Sequence, residues 1–229
     1  MPFPFEMNSI VLERYGAVYV EIPKVACTSI KTTIASLIDI DLQEASGNPH
    51  EVSWPMASPA PGRPGPLFPG LFAFAFVRDP WDRLVSCYRD KIRGEVVDGF
   101  TYFTMRPGVA NCLERFDAFV GGMSFDDFVR AVASIDDEEA DTHFRSQHTF
   151  VTNEDGHLAV DFIGRYERLA DDFRLVGERL GLPPIELPRL QAAGQPMKYS
   201  GFYTAETRRI AAERYGRDID LFGYTFDEG

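Results

Sequence analysis

Positive charge is in short supply in this 229-residue chain: 23 lysines and arginines face 35 acids, for a net charge of −12 at pH 7. Such a surface repels polyanions and lacks the basic stripe of a nucleic-acid binder. Cysteine is equally sparse, at Cys27, Cys87 and Cys112. Their spacing fits no metal-ligand pattern, and an odd count without a secretory leader points to reduced thiols. Long apolar runs are missing as well. Leu71 to Val77 is far shorter than the roughly 20 residues that span a bilayer, and Met1-Pro2-Phe3-Pro4-Phe5-Glu6 has neither the basic stretch nor the apolar core of a signal peptide. A soluble chain without stable membrane insertion is expected. With 45% hydrophobic residues it can bury one sizeable core, as a single domain over 1–229. No repeat, low-complexity tail or coiled-coil heptad is present.

What is present is a pair of strand-loop-helix segments, Ala17 to Lys31 and Phe74 to Lys91. Each reads as a short apolar strand, a sharp turn with a cation and a proline, and a helix with hydroxyl residues in its opening turns. Helix starts present N–H groups and the positive end of the helix dipole, so a nearby Lys or Arg completes a phosphate cradle. Two cradles suggest a ligand with two anionic ends. Neither is an ATP-type loop: Lys24 precedes its loop, Lys24 to Lys31 contains no glycine, and Arg78 stands where a metal-holding NTPase would place an acid. Both departures fit a metal-free reaction.

These residues resemble the donor motifs of sulfotransferases that use 3'-phosphoadenosine 5'-phosphosulfate (PAPS). Ile22-Pro23-Lys24…Cys27-Thr28-Ser29 is similar to the family's 5'-phosphosulfate loop, and Arg78-Asp79-Pro80-x-x-Arg83-Leu84-Val85-Ser86-x-Tyr88-Arg89 to its 3'-phosphate motif. The resemblance is closest to the carbohydrate O-sulfotransferase branch that includes the chondroitin and dermatan enzymes. It continues through His143-Phe144-Arg145-Ser146-Gln147, Asp161 to Leu169 and Asp220 to Tyr224. It implies an α/β, P-loop-like three-layer fold with a central parallel sheet flanked by helices. Eukaryotic relatives of this kind are anchored in the Golgi, so the chain is expected to be a cytoplasmic, bacterial member, or a Golgi-lumen one whose anchor has been trimmed.

Periodicity supports that organisation. Strand Ala17–Ile22 leads to a helix over Thr28–Ile38, and strand Leu71–Val77 to a helix over Trp81–Arg93. Seven of the 16 prolines fall in Gly47–Gly70, which reads as a long surface loop. Ser124 with Asp127 opens a further helix; a strand near Val160–Ile163 precedes helix Leu169–Leu180, and a last helix covers Ala205–Tyr215. Gly94–Gly122 has no clear pattern. It and Gly47–Gly70 are the expected acceptor-side loops, because acceptor residues in such enzymes lie on variable loops.

The expected chemistry moves a sulfuryl group from PAPS to an alcohol, by positioning and charge stabilisation and without a metal. Lys24 would stabilise the leaving oxygen. The amides of Ala26, Cys27, Thr28 and Ser29, with the two hydroxyls, would hold the 5'-phosphosulfate, unless those hydroxyls only cap the helix. Arg78 would grip the 3'-phosphate and Ser86 add a hydroxyl contact, with Asp79 capping the helix or orienting Arg78. Arg83 and Arg89 read as a solvated face or ion-pair partners. The resemblance adds Lys198, on a loop that closes over the nucleotide. The acceptor hydroxyl needs a base, for which histidine suits neutral pH. His50, placed where related uronyl sulfotransferases carry theirs, His143, and a carboxylate such as Glu51 stay open. The partner would be a hydroxylated small molecule or a glycan. A P-loop-type kinase would instead require magnesium and ATP, and a non-catalytic nucleotide-binding module would bind PAPS without turnover.

Overall fold

The structure is a computed structural model that describes residues 7–60, 65–93, 108–184, 187–188 and 198–227. Its regular elements run β1 (Ser9–Leu12), β2 (Ala17–Val20), α1 (Cys27–Leu37), β3 (Phe72–Val77), α2 (Pro80–Lys91), α3 (Phe125–Ala133), α4 (His148–Val151), β4 (Phe162–Arg165), α5 (Leu169–Arg179), α6 (Ala205–Arg214) and α7 (Gly216–Phe222). They fall into two compact units, Met1–Val77 with Gln147–Leu190, and Arg78–Ser146 with Gln191–Gly229.

The first unit holds a sheet of order β1-β2-β3-β4, in which β2, β3 and β4 are parallel and β1 is antiparallel to β2. This is the expected α/β fold with a mostly parallel sheet. The antiparallel strand is a correction: Ser9-Ile10-Val11-Leu12 is too short to stand out by pattern, and the turn to β2 closes through Gly16 at φ 58°, a left-handed backbone that glycine adopts without penalty. The strand after β1 ends two residues before the expected Ile22, and α1 and α2 each start one residue early.

In β3 the sequence Phe72-Ala-Phe-Ala-Phe-Val puts Phe72, Phe74 and Phe76 on one face. Their rings lie 6.0 and 6.4 Å apart, and the Phe173 ring on α5 stacks on Phe76 at 6.2 Å. Phe76 pairs with Gly164 of β4, where a Cβ would sit 2.3 Å from the Phe76 ring. Asp161 extends the same pairing, its carboxylate accepting the Ala73 N–H and its own N–H donating to the Ala73 carbonyl, both at 2.8 Å.

The proline-rich stretch is less detached than expected. Met56 bridges Ile10, the Val11 N–H donates to the Pro55 carbonyl and the Ala57 N–H to the Ser9 carbonyl, each at 2.8 Å. Leu67 and Phe68 are buried. Prolines suit this position, since an edge leaves the missing N–H without consequence.

In the second unit, Asp79 caps α2 by accepting the Trp81 and Asp82 N–H groups at 2.8 and 3.3 Å, with Pro80 in the first turn. Ser124 caps α3 as expected. Tyr88, Phe125, Phe128 and Phe202 pack ring on ring. The helix expected over Ala205–Tyr215 is α6, and a further helix not foreseen, α7, follows it and is closed by Gly223 at φ 65°. Within Gly94–Gly122, residues 94–107 lie outside the described residues, and 108–122 form turns around a short 3-10 helix, Asn111–Leu113.

Candidate active site

The loop from β2 to α1 takes a glycine-like path without glycine. Lys24 has φ 69° and Ala26, the N-cap of α1, has φ 52°. Left-handed backbone costs roughly 1–2 kcal/mol at each such residue, and strain of this kind gathers where function over-determines the chain. Ile22 and Val25 are fully buried on either side, and Lys24 is itself only 5% exposed. No side chain caps α1. Thr28 and Ser29 lie inside its first turn and do not serve as caps.

Thr28 turns instead to histidine. Its Oγ1 lies 2.9 Å from His50 Nε2, and His50 is held by its backbone N–H on Asn48 Oδ1 at 3.0 Å and by a turn in which Trp54 Nε1 donates to the Pro49 carbonyl. On the ring's other side Nδ1 is 3.5 Å from Lys31 Nζ and 3.9 Å from Glu21 Oε1. Lys31 donates to both Glu21 oxygens, at 3.3 and 3.2 Å.

In the second unit, Arg78 Nε donates to Asp82 Oδ2 at 2.8 Å, so Asp82, one turn into α2, orients the guanidinium while Asp79 caps. Burial, the largest influence, pushes the Asp79 carboxyl up to about 6 against the N–H of Asp82, the Tyr199 hydroxyl and the N–H of Trp81. Ser86 is buried on the same helix. Lys198 is exposed and directly precedes Tyr199, whose hydroxyl donates to Asp79 Oδ2 at 3.0 Å. Arg83 departs from expectation: it is 2% exposed and donates to the Arg145 and Thr142 carbonyls at 2.8 and 2.9 Å. Together with Tyr215, whose hydroxyl donates to the Phe144 carbonyl, it pins the strip that carries His143. Nδ1 of His143 lies 2.6 Å from Asp141 Oδ1. Burial raises the Asp141 carboxyl, but the His143 ring and N–H outweigh it and hold it below its ordinary value.

Among the described residues, two groups of three side chains bring possible cation-binding atoms within 4.8 Å of one another: Glu21, Cys27 and His50, and Cys112, Asp141 and His143. In the first, the Lys31 ammonium already supplies positive charge.

Residues 7–225 match the Sulfotransferase family. The chain belongs to that family. Carbohydrate sulfotransferase 14 of Mus musculus is 29% identical over 94% of this chain and 59% of its own length. Carbohydrate sulfotransferase 12 of Xenopus laevis is 26% identical over the same shares, and carbohydrate sulfotransferase 10 of Gallus gallus 26% over 67% of this chain and 46% of its own. The chain thus spans less than two thirds of the length of the curated relatives it matches. No solved structure matches it.

In this sulfotransferase-family chain, Lys24, Ala26, Cys27, Thr28, Ser29 and His50 come together around the start of α1, while Arg78, Ser86, Lys198 and His143 belong to the other unit. Sequence reasoning missed Glu21 and Lys31. Each left a trace: Glu21 is the sole acid of the apolar run Ala17–Ile22, and Lys31 stands three residues after Thr28, on the same helical face.

Proposed function

We propose that the chain transfers a sulfuryl group from PAPS to a hydroxyl of a carbohydrate or similar acceptor. The observation that carries this is the meeting of His50 with Thr28 in the first turn of α1, four residues after Lys24 in the chain, which sets a base beside the loop that would take the 5'-phosphosulfate. His50 accepts the proton of the acceptor hydroxyl while the acceptor oxygen bonds to sulfur and the bond from sulfur to the 5'-phosphate oxygen breaks. Lys24 and the amides opening α1 stabilise the charge on that departing oxygen. Arg78, held by Asp82, and Ser86 take the 3'-phosphate. Glu51 is engaged by Asn48 Nδ2 at 2.8 Å, which favours His50 over it; His143, with the Asp141 carboxylate on its Nδ1, stays the alternative base. No metal enters this scheme.

Membership of the family disfavours a kinase. Cys27, Cys87 and Cys112 are free cysteines. No helix among the described residues is long and apolar enough to cross a membrane.

The test is transfer of label from PAPS across a panel of hydroxylated acceptors, repeated with two variants. Lys24→Ala should cut turnover sharply with a modest loss of PAPS affinity. His50→Ala should bind PAPS almost normally yet transfer about 10²–10⁴-fold more slowly, the usual contribution of a positioned base. Near-native transfer by His50→Ala, with collapse in His143→Ala, would move the base to His143. PAPS binding without transfer to any acceptor would favour the non-catalytic module.

A further inference from the structure

We propose that Glu21 and Lys31 are positioning residues that together set the tautomer and charge state of His50 by pulls of opposite sign; this rests on the reading of His50 as the base. The pair is an odd thing to find at the end of a central strand. Both residues are 4% exposed, Asn8 Nδ2 donates to Glu21 Oε2 at 3.2 Å, and the Trp54 ring lies 5.7 Å from Lys31 Nζ. A buried ion pair seldom adds stability over apolar side chains of the same volume, because desolvating two charges offsets their attraction. Stability alone does not account for this one.

Its geometry points at the imidazole. Lysine has only donors and an ionised glutamate only acceptors. Nδ1 of His50, 3.5 Å from Nζ and 3.9 Å from Oε1, thus faces one group that wants a lone pair there and one that wants a proton. With the proton on Nδ1 toward Glu21, Nε2 carries the lone pair, and the Thr28 hydroxyl at 2.9 Å donates to it. An acceptor hydroxyl replacing Thr28 would find a base. With the proton on Nε2, the ring donates to Thr28 and can take no proton at that nitrogen. Glu21, at 3.9 Å too far for a hydrogen bond, pulls toward the competent tautomer by charge alone, whereas Lys31, the nearer group and a donor only, pulls toward the lone pair on Nδ1. Alone, Glu21 would also favour the imidazolium, which is no base. Lys31 opposes that pull, so the two act on one ring with opposite sign.

Further groups lie close to this pair. The Cys27 thiol lies within 4.8 Å of the Glu21 and His50 donor atoms. Tyr19, on β2, is held well above its ordinary value, first by burial and then by Cys27 and Glu21, and so stays neutral. On the loop itself, Asn48 takes the His50 N–H and holds Glu51.

The experiment is an NMR titration of the imidazoles, with ¹⁵N shifts to read the tautomer. The chain has four histidines, and His50→Gln assigns the signal. Glu21→Gln leaves Lys31 unopposed: the His50 pKa should fall by at least about one pH unit and the neutral ring move to the Nε2–H form. Lys31→Met should raise the pKa by a similar amount, as expected for a full charge removed within about 4–6 Å. Glu21→Gln combined with Lys31→Met should return toward the native value, and it guards the test if a single variant with an uncompensated charge fails to fold. The acidic limb of transfer from PAPS should move the same way in each. Shifts of one sign, or none, overturn the proposal even if His50→Ala abolishes transfer. Opposite shifts with a fully active His50→Ala would sustain the tuning and remove the base assignment.

Discussion

Asp79 carries two duties that pull its carboxyl in opposite directions. As the cap of α2 it accepts two backbone N–H groups and the Tyr199 hydroxyl, which favour the carboxylate, yet burial outweighs them and lifts it from 3.8 to about 6. The folded state therefore binds this proton more tightly than the unfolded chain. Stability falls as pH rises from about 4 to about 6, and the ionised group costs about 2–3 kcal/mol at neutral pH, at ~1.4 kcal/mol for each pH unit. Asp79→Asn should keep the cap, since asparagine serves there as well as aspartate. It should lose that part of the pH dependence and be at least as stable as the native chain at pH 7. Urea unfolding from pH 4 to pH 7 measures this; parallel pH slopes in the two proteins would show that Asp79 titrates normally. The capping role was legible from Asp-Pro ahead of an apolar-periodic run. The orienting role of Asp82 was not, because several acids near Arg78 are equivalent until the helix fixes which one its side chain meets.

At the scale of elements, Gly164 shows what a motif match conceals. The stretch Asp161 to Glu167 resembles a family signature, but its described contacts are architectural: Asp161 continues the β3 ladder, Gly164 clears the Phe76 ring, and the Arg165 N–H donates to the buried Asp172 at 2.7 Å. Gly164→Ala puts a methyl 2.3 Å from ring carbons already packed by Phe74, Phe162 and Phe173. Overpacking of this kind costs about 1–3 kcal/mol, so the midpoint of chemical unfolding should fall, and Phe76→Leu in the same chain should recover part of the loss. An unchanged midpoint would mean that the ring moves aside freely. The strands β2, β3 and β4 and the helices α1, α2, α3 and α5 were readable to within two residues, because runs such as Phe72 to Val77 are long, apolar and bounded by turns. β1 was not, since its four residues become a strand only by pairing with β2 and with the stretch around Met56. His50 could be nominated by residue type and position, but a partner 22 residues away, Thr28, follows from tertiary structure alone.

For the whole molecule the governing quantity is charge. A net −12 is spread over a surface whose described cations are largely spoken for: Arg130 pairs with Glu206, Arg214 with Asp137, and Lys31 with Glu21. A polyanionic acceptor approaching such a surface meets repulsion that reaches roughly 8–10 Å at physiological ionic strength, whereas PAPS needs only the local cations of the donor loops. The proposed acceptor is accordingly a neutral or weakly charged hydroxyl compound. Two salt responses follow. Transfer from PAPS to a neutral oligosaccharide should be insensitive to added salt beyond any weakening of PAPS binding, which saturating donor removes. Transfer to a sulfated polysaccharide should be slower at low salt and rise as screening relieves the repulsion. Initial rates between low and physiological salt, with PAPS saturating, separate the two. Strong inhibition of neutral-acceptor transfer by a heparin-like polymer, relieved by salt, would reveal a cationic acceptor groove and reverse the assignment of acceptor class.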